Sequence, residues 1–215
     1  MTQGGPTLRS DHAAEKKDKK HAFQWTDRHS EYITSNPRAV AEDELLSLSS
    51  NVYVLDLSGL WGGSRDPFNW LPRIAPTKEA LRNKGSVHLI HGHDVARGII
   101  AVHLSPPTYQ EAADDKRRNH LKGQRYILTD MRVYCWWDLA NAYATSESLD
   151  GRQLTAEQRA LYENIGNWVL ELMNESQVRA LPRTPEQLGR ALDSRDFWTD
   201  FGLLPVKGRI EKEKL

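Results

Sequence analysis

The segment Ser86-Val-His-Leu-Ile-His-Gly-His-Asp-Val-Ala-Arg-Gly-Ile-Ile-Ala-Val-His103 constrains the fold more than any other stretch of this chain. A β-prone apolar run, Ser86 to Ile90, meets polar residues at a turn. Asp94 then caps a helix of small residues, Val95 to Leu104, which Pro106-Pro107 stops. A strand that carries polar side chains to a sheet end and runs into a helix is the unit of open α/β sheets, which bind ligands at such ends.

Other segments extend this pattern. Ser35 or Asn36 caps a helix with Pro37 in its first turn, running to about Leu48 with Val40, Leu45 and Leu48 inward. Asn51 to Ser58 is apolar at nearly every position and predicts a parallel strand covered on both faces. It ends in the glycine loop Gly59-Leu-Trp-Gly-Gly-Ser-Arg65. Thr77 caps a short helix over Lys78 to Asn83, Arg125 to Thr129 reads as a further strand, and a helix follows near Trp136 to Ala144. Gln110 to Lys122 is charged and reads as an exposed excursion. Thr155-Ala-Glu-Gln158 and Thr184-Pro-Glu-Gln187 are capping boxes. The first opens an amphipathic helix with Leu161, Ile165, Trp168, Val169 and Leu172 on one face, and Ser194 caps a last turn ending at Gly202.

Composition narrows the function classes. Lys+Arg and Asp+Glu both number 29, so no net basic charge supports a nucleic-acid or membrane-surface partner. Cys135 is the single cysteine, so no internal disulfide forms, and a reducing compartment is expected: the cytoplasm, with the mitochondrion left open. No apolar run approaches the roughly 20 residues of a membrane span. Residues 1–22 are polar and predicted to be a disordered tail.

Five segments, taken in order, resemble the extended and atypical short-chain dehydrogenase/reductases, the NAD(P)-dependent epimerases, dehydratases and reductases of the nucleotide-sugar type. Arg38-Ala-Val-Ala-Glu42 looks like the "K.aaE" stretch of that family's catalytic helix. Val54-Leu-Asp-Leu-Ser-Gly-Leu-Trp-Gly-Gly-Ser-Arg65 looks like its "lR...iyGpgR" strand and loop. Ile90-His-Gly-His-Asp-Val-Ala96 is similar to its "iHvdDvA" block. Gly123-Gln-Arg-Tyr-Ile-Leu-Thr-Asp130 with Trp136-Trp-Asp-Leu-Ala140, and then Ser194 to Pro205, resemble its two later blocks. The resemblance implies an α/β, partial Rossmann-like fold of about three strands, lacking the N-terminal dinucleotide-binding half and ending in a mainly helical part. It divides the chain into the tail 1–22, a sheet remnant 23–145 and a helical substrate-side region 146–215.

The departures are specific. A dinucleotide site needs a Gly-x-Gly-x-x-Gly turn whose N–H groups take the pyrophosphate, and these 215 residues contain none. The resemblance implies that full-length relatives bind NAD(P), and the missing turn that this chain alone binds no cofactor. The family's Tyr-x-x-x-Lys pair is also missing: Arg38 stands in the lysine place and Thr34 in the tyrosine place. A threonine hydroxyl is too weak an acid to replace the tyrosine, and Arg38 cannot lose its proton. Tyr32, two residues early, and Arg38 are the remaining catalytic candidates. The resemblance places Trp61, Arg65, His91 and Asp94 on the substrate cleft, with Arg65 suited to a phosphate or carboxylate.

His88, His91, His93 and His103 predict no metal site, because alternation along a strand separates their side chains. Cys135, with no basic neighbour in sequence to lower its pKa, reads as core filler. Two function classes follow. One is the C-terminal portion of an NAD(P)-dependent epimerase- or reductase-like protein, inactive alone, whose relatives act on a small polar or sugar-like substrate. The other is a non-catalytic binding or interaction module that reuses the half-fold and self-associates through an exposed sheet edge.

Overall fold

The computed structural model describes residues 23, 25–49, 51–104, 124–145, 149–150, 152–207 and 210. The expected tail at 1–22 and the excursion at Gln110–Lys122 lie outside the described residues. The described residues fall into two compact units, those within Met1–Leu60, His88–Arg132 and Ala191–Arg209, and those within Trp61–Val87, Val133–Arg190 and Ile210–Leu215. The architecture is mixed α/β, with helices dominating and few parallel strands.

In the first unit, β1 (Tyr53–Leu57) pairs in parallel with β5 (Gln124–Leu128), in a register running from Tyr53 opposite Gln124 to Leu57 opposite Leu128. β2 (Gly59–Trp61) pairs with β4 (Leu89–His91), next to the hydrogen bond that the Gly59 N–H donates to the His88 carbonyl at 2.9 Å. Ile90, Val95, Tyr126, Leu128, Phe197 and Trp198 form the core, with Tyr53, Leu55 and Leu57 packed against it. α4 (Gly92–Leu104) approaches this core closely at Gly98, where a Cβ would stand 3.0 Å from Phe197 Cζ. α8 (Arg195–Asp200) supplies Phe197 and Trp198, and Trp198 Nε1 donates to the Thr129 carbonyl at 3.0 Å.

α1 (Pro37–Leu48) starts where the sequence predicts, with the Asn36 side chain accepting from the Arg38 N–H. Its inward face does not match the expectation. Val40, Leu45 and Leu48 are exposed, Leu48 by 77%, while Ala39, Glu42 and Leu46 are buried. The reason is electrostatic: Glu42 turns toward a guanidinium, and the apolar positions rotate outward with it. α4 also departs from its expected start. It begins at Gly92, so Asp94 lies inside the first turn, and His91 Nδ1 accepts the His93 N–H at 3.0 Å instead. Ser194 likewise makes no capping bond; its hydroxyl lies 2.8 Å from the Thr129 hydroxyl.

The second unit holds the antiparallel pair β3 (Ser86–Val87) and β6 (Tyr134–Cys135). It also holds α2 (Leu71–Ile74), α3 (Lys78–Arg82), α5 (Trp136–Tyr143), α6 (Ala156–Glu175) and α7 (Pro185–Leu188). Both capping boxes form, at Thr155 with Gln158 and at Thr184 with Gln187. α6 buries Tyr162, Ile165, Val169 and Leu172; Tyr162 stacks on Phe68 at 4.2 Å and donates its hydroxyl proton to the Phe68 carbonyl. The Lys78 ammonium donates to Glu171 and Glu175, tying α3 to α6. Where about three strands are expected, six are present among the described residues: the expected strand at Ser86–Ile90 is split into β3 and β4, and β2 and β6 have only three and two residues, too few for a readable period. Among the described residues, no helix is long and apolar enough to cross a membrane.

Candidate functional site

Tyr32 and Arg38 both fall on one ionic cluster of the first unit, buried at Glu42, Asp56 and Arg125 and open to solvent at Arg38 and Asp43. α1 contributes Arg38, Glu42 and Asp43, β1 contributes Asp56, and β5 contributes Arg125. Arg38 and Glu42 are one helical turn apart, so their side chains meet on one face, with Nε 2.7 Å from Glu42 Oε1. Arg38 Nη2 lies 4.0 Å from Asp56 Oδ1. Arg125 stands opposite Val54, two positions before Asp56, so the Arg125 and Asp56 side chains share one face of the pair. Parallel pairing therefore brings Arg125 Nε within 3.9 Å of Asp56 Oδ2. Arg125 Nη2 also reaches Glu42 Oε2 at 3.3 Å and Asp43 Oδ1 at 3.1 Å.

Tyr32 lies in the extended segment before α1 and does not share a helix with Arg38. Its hydroxyl donates to Asp43 Oδ1 at 2.7 Å, and its ring lies under the Arg125 guanidinium at 4.5 Å. Burial first, and then the hydrogen bond to Asp43, raise the Tyr32 phenol above its ordinary value. That direction is opposite to what a proton-transfer tyrosine needs near neutral pH. Asp56 is buried, and that desolvation, reinforced by the like charge of Glu42, pushes it up to about 7 despite Arg125 and Arg38. A cavity of about 10 Å³ lies beside the cluster, lined by Asp27, Arg28, Ser30, Tyr32, Asp56 and Arg125. It has room for about one water molecule.

The four cleft candidates divide between the units. Asp94 and His91 belong to the first. Asp94 is fully buried; its Oδ1 accepts from the Val206 N–H at 3.0 Å and from Arg97 Nη1 at 2.9 Å, and its Oδ2 from the Lys207 N–H at 3.0 Å. Its carboxylate is thus spent on holding the segment after α8 to α4. Trp61 and Arg65 belong to the second unit. Trp61 is buried, while Arg65 is exposed and closes a tight loop by exchanging backbone hydrogen bonds with Gly62. Asp66 beside it pairs with Arg152 at 2.8 Å.

Two further residues have roles that local sequence does not show. His88 Nε2 accepts the Leu192 N–H at 2.8 Å, which makes this buried imidazole a neutral tether across more than a hundred residues. Cys135 does have a basic neighbour: Arg183 Nε lies 3.4 Å from its sulfur, and the same guanidinium stacks on Trp137 at 3.8 Å. No sequence signal pairs positions 135 and 183, because the contact is made only by tertiary folding. Among the described residues, no group of three or more metal-ligating side chains converges.

No protein-family model matches this chain. No curated protein matches it either. Among solved structures, it is similar to one provisionally described as an NAD-dependent epimerase/dehydratase from Methylobacillus flagellatus, at 16% identity and a TM-score of 0.43. The match covers 87% of this chain and 54% of that one, so the chain spans about half the length of that neighbour.

Proposed function

We propose that this chain is the substrate-side portion of an extended short-chain dehydrogenase/reductase-like protein and transfers no hydride by itself. In this reading the full-length relatives bind NAD(P) and act on a small polar or sugar-like substrate. This chain supplies part of the cleft wall, with His91, immediately before α4 in the first unit, as a polar group of it. The observation that carries the reading is the fate of the two catalytic candidates. Arg38 is bound to Glu42, and Tyr32 is bound to Asp43 and stacked on Arg125. Both groups are spent on packing α1 against β1 and β5. A catalytic tyrosine needs a lowered pKa beside a cation that also holds a cofactor ribose, and Tyr32 is shifted the other way.

The test is a tyrosinate difference titration at 295 nm, comparing the chain with Tyr32→Phe. The expected result is that the missing component titrates above the ordinary phenol value of about 10. A component titrating near 7 would contradict the reading and restore Tyr32 as a proton-transfer group.

A second reading, a non-catalytic interaction module, is favoured by the exposed apolar face of α1. Val40, Leu45 and Leu48 are 42%, 49% and 77% exposed on one helix, and such a face suits self-association. Sedimentation of the chain beside Leu48→Gln separates the two: a concentration-dependent dimer lost in the variant supports the module.

A further inference from the structure

The ionic cluster has an unbalanced charge. Glu42, Asp43 and Asp56 supply three carboxylates, and Arg38 and Arg125 supply two guanidinium groups. The other charged groups near the cavity are engaged elsewhere. Asp27 accepts from the Ser30 hydroxyl and the His29 N–H, and Arg28 lies over the Tyr126 ring and 3.6 Å from Asp200. Glu42 and Asp56 are each more than nine-tenths buried. Among the described residues, neither Glu42 Oε2 nor Asp56 Oδ1 accepts a hydrogen bond from a donor. Arg125 Nε and Nη1 also lack a bonded partner there. A cavity with room for only about one water cannot replace bulk solvation for an excess negative charge.

We infer that Glu42 and Asp56 share a single proton, and that this proton latches α1 onto the β1–β5 pair and is released as pH rises through neutrality. One proton leaves two negative and two positive charges. It also turns two acceptors without a donor into a hydrogen-bonded carboxyl–carboxylate pair. Asp56 is raised to about 7, in keeping with that arrangement. The sign follows from linkage. A carboxyl group whose folded pKa lies above its unfolded value stabilises the fold fully below the unfolded pKa, and the contribution is lost as pH rises through the folded one. The window therefore runs from about pH 4 to about pH 7, in the opposite sense to an ordinary salt-bridged carboxylate.

Equilibrium urea unfolding of the full chain between pH 4 and 8, beside Asp56→Asn, tests this. Asparagine mimics the protonated carboxyl. The wild-type unfolding constant should rise relative to the variant's by about tenfold per pH unit between pH 5 and 7, as one linked proton requires. Above pH 7 the two should run parallel, with the variant more stable. Parallel curves throughout the range would overturn the inference. Should the variant not fold, carboxyl-carbon NMR of the wild-type chain decides. An Asp56 signal titrating near 7 and moving lower in Glu42→Gln supports the shared proton, and a signal titrating near 4 refutes it.

Discussion

At the residue scale, buried polar groups are where local sequence and fold part company. Asp94 reads as a helix cap because it precedes a run of small residues, and capping is a local rule. In the fold its two oxygens accept from Val206, Lys207 and Arg97, three donors of which two lie more than a hundred residues away. Replacing it with alanine removes a fully buried acceptor from three part-buried donors. The expected loss is about 3 kcal/mol of stability, on the scale of a buried charge-assisted hydrogen-bonding group. Urea unfolding measures it, and a loss below about 1 kcal/mol would mean that the segment after α8 does not depend on Asp94. Gly98 makes a smaller prediction. Alanine there gains helix propensity of about 1 kcal/mol, but its Cβ meets Phe197 Cζ at 3.0 Å. Overpacking costs about 1–3 kcal/mol, so Gly98→Ala should lower the melting temperature modestly instead of raising it.

At the element scale, helix ends were legible and helix faces less so. Asn36, Thr77, Thr155 and Thr184 cap the helices that sequence assigns to them, because a cap depends on residues within one turn. Thr155→Ala should cost about 1 kcal/mol, readable as a lower melting midpoint with unchanged helix content. The face of α6 was legible in part: Ile165, Val169 and Leu172 are buried as its period predicts, whereas Leu161 and Trp168 are half-buried and Tyr162 takes a core place. The face of α1 was not. Its apolar residues Val40, Leu45 and Leu48 point outward, because the partner that orients it is Arg125, 83 residues after Glu42. The contrast is testable within one helix. Leu46→Ala should cost about 2–5 kcal/mol as a buried large-to-small change, whereas Leu45→Ala should stay within about 0.5 kcal/mol. Equal losses at both positions would mean that α1 packs by the face its sequence suggests.

At the scale of the whole molecule, the chain passes between two compact units more than once, and no linker composition marks those crossings. β2 and β6, of three and two residues, are too short to carry a period, and their pairing with β4 and β3 is set by contacts far apart in sequence. In the sequence, a resemblance to the epimerase/dehydratases was legible as an order of short motifs, which no family model or curated relative bears out. What became of its catalytic positions was not, since the ion pairs that occupy Tyr32 and Arg38 exist only in the folded chain. We propose that a chain with no glycine-rich pyrophosphate turn, and with its candidate pair committed to packing, binds no dinucleotide by itself. The most direct measurement is a fluorescence titration of the full chain with NADH and NADPH. The account predicts no saturable binding up to millimolar cofactor. A saturable isotherm with a micromolar dissociation constant for either nucleotide would contradict it.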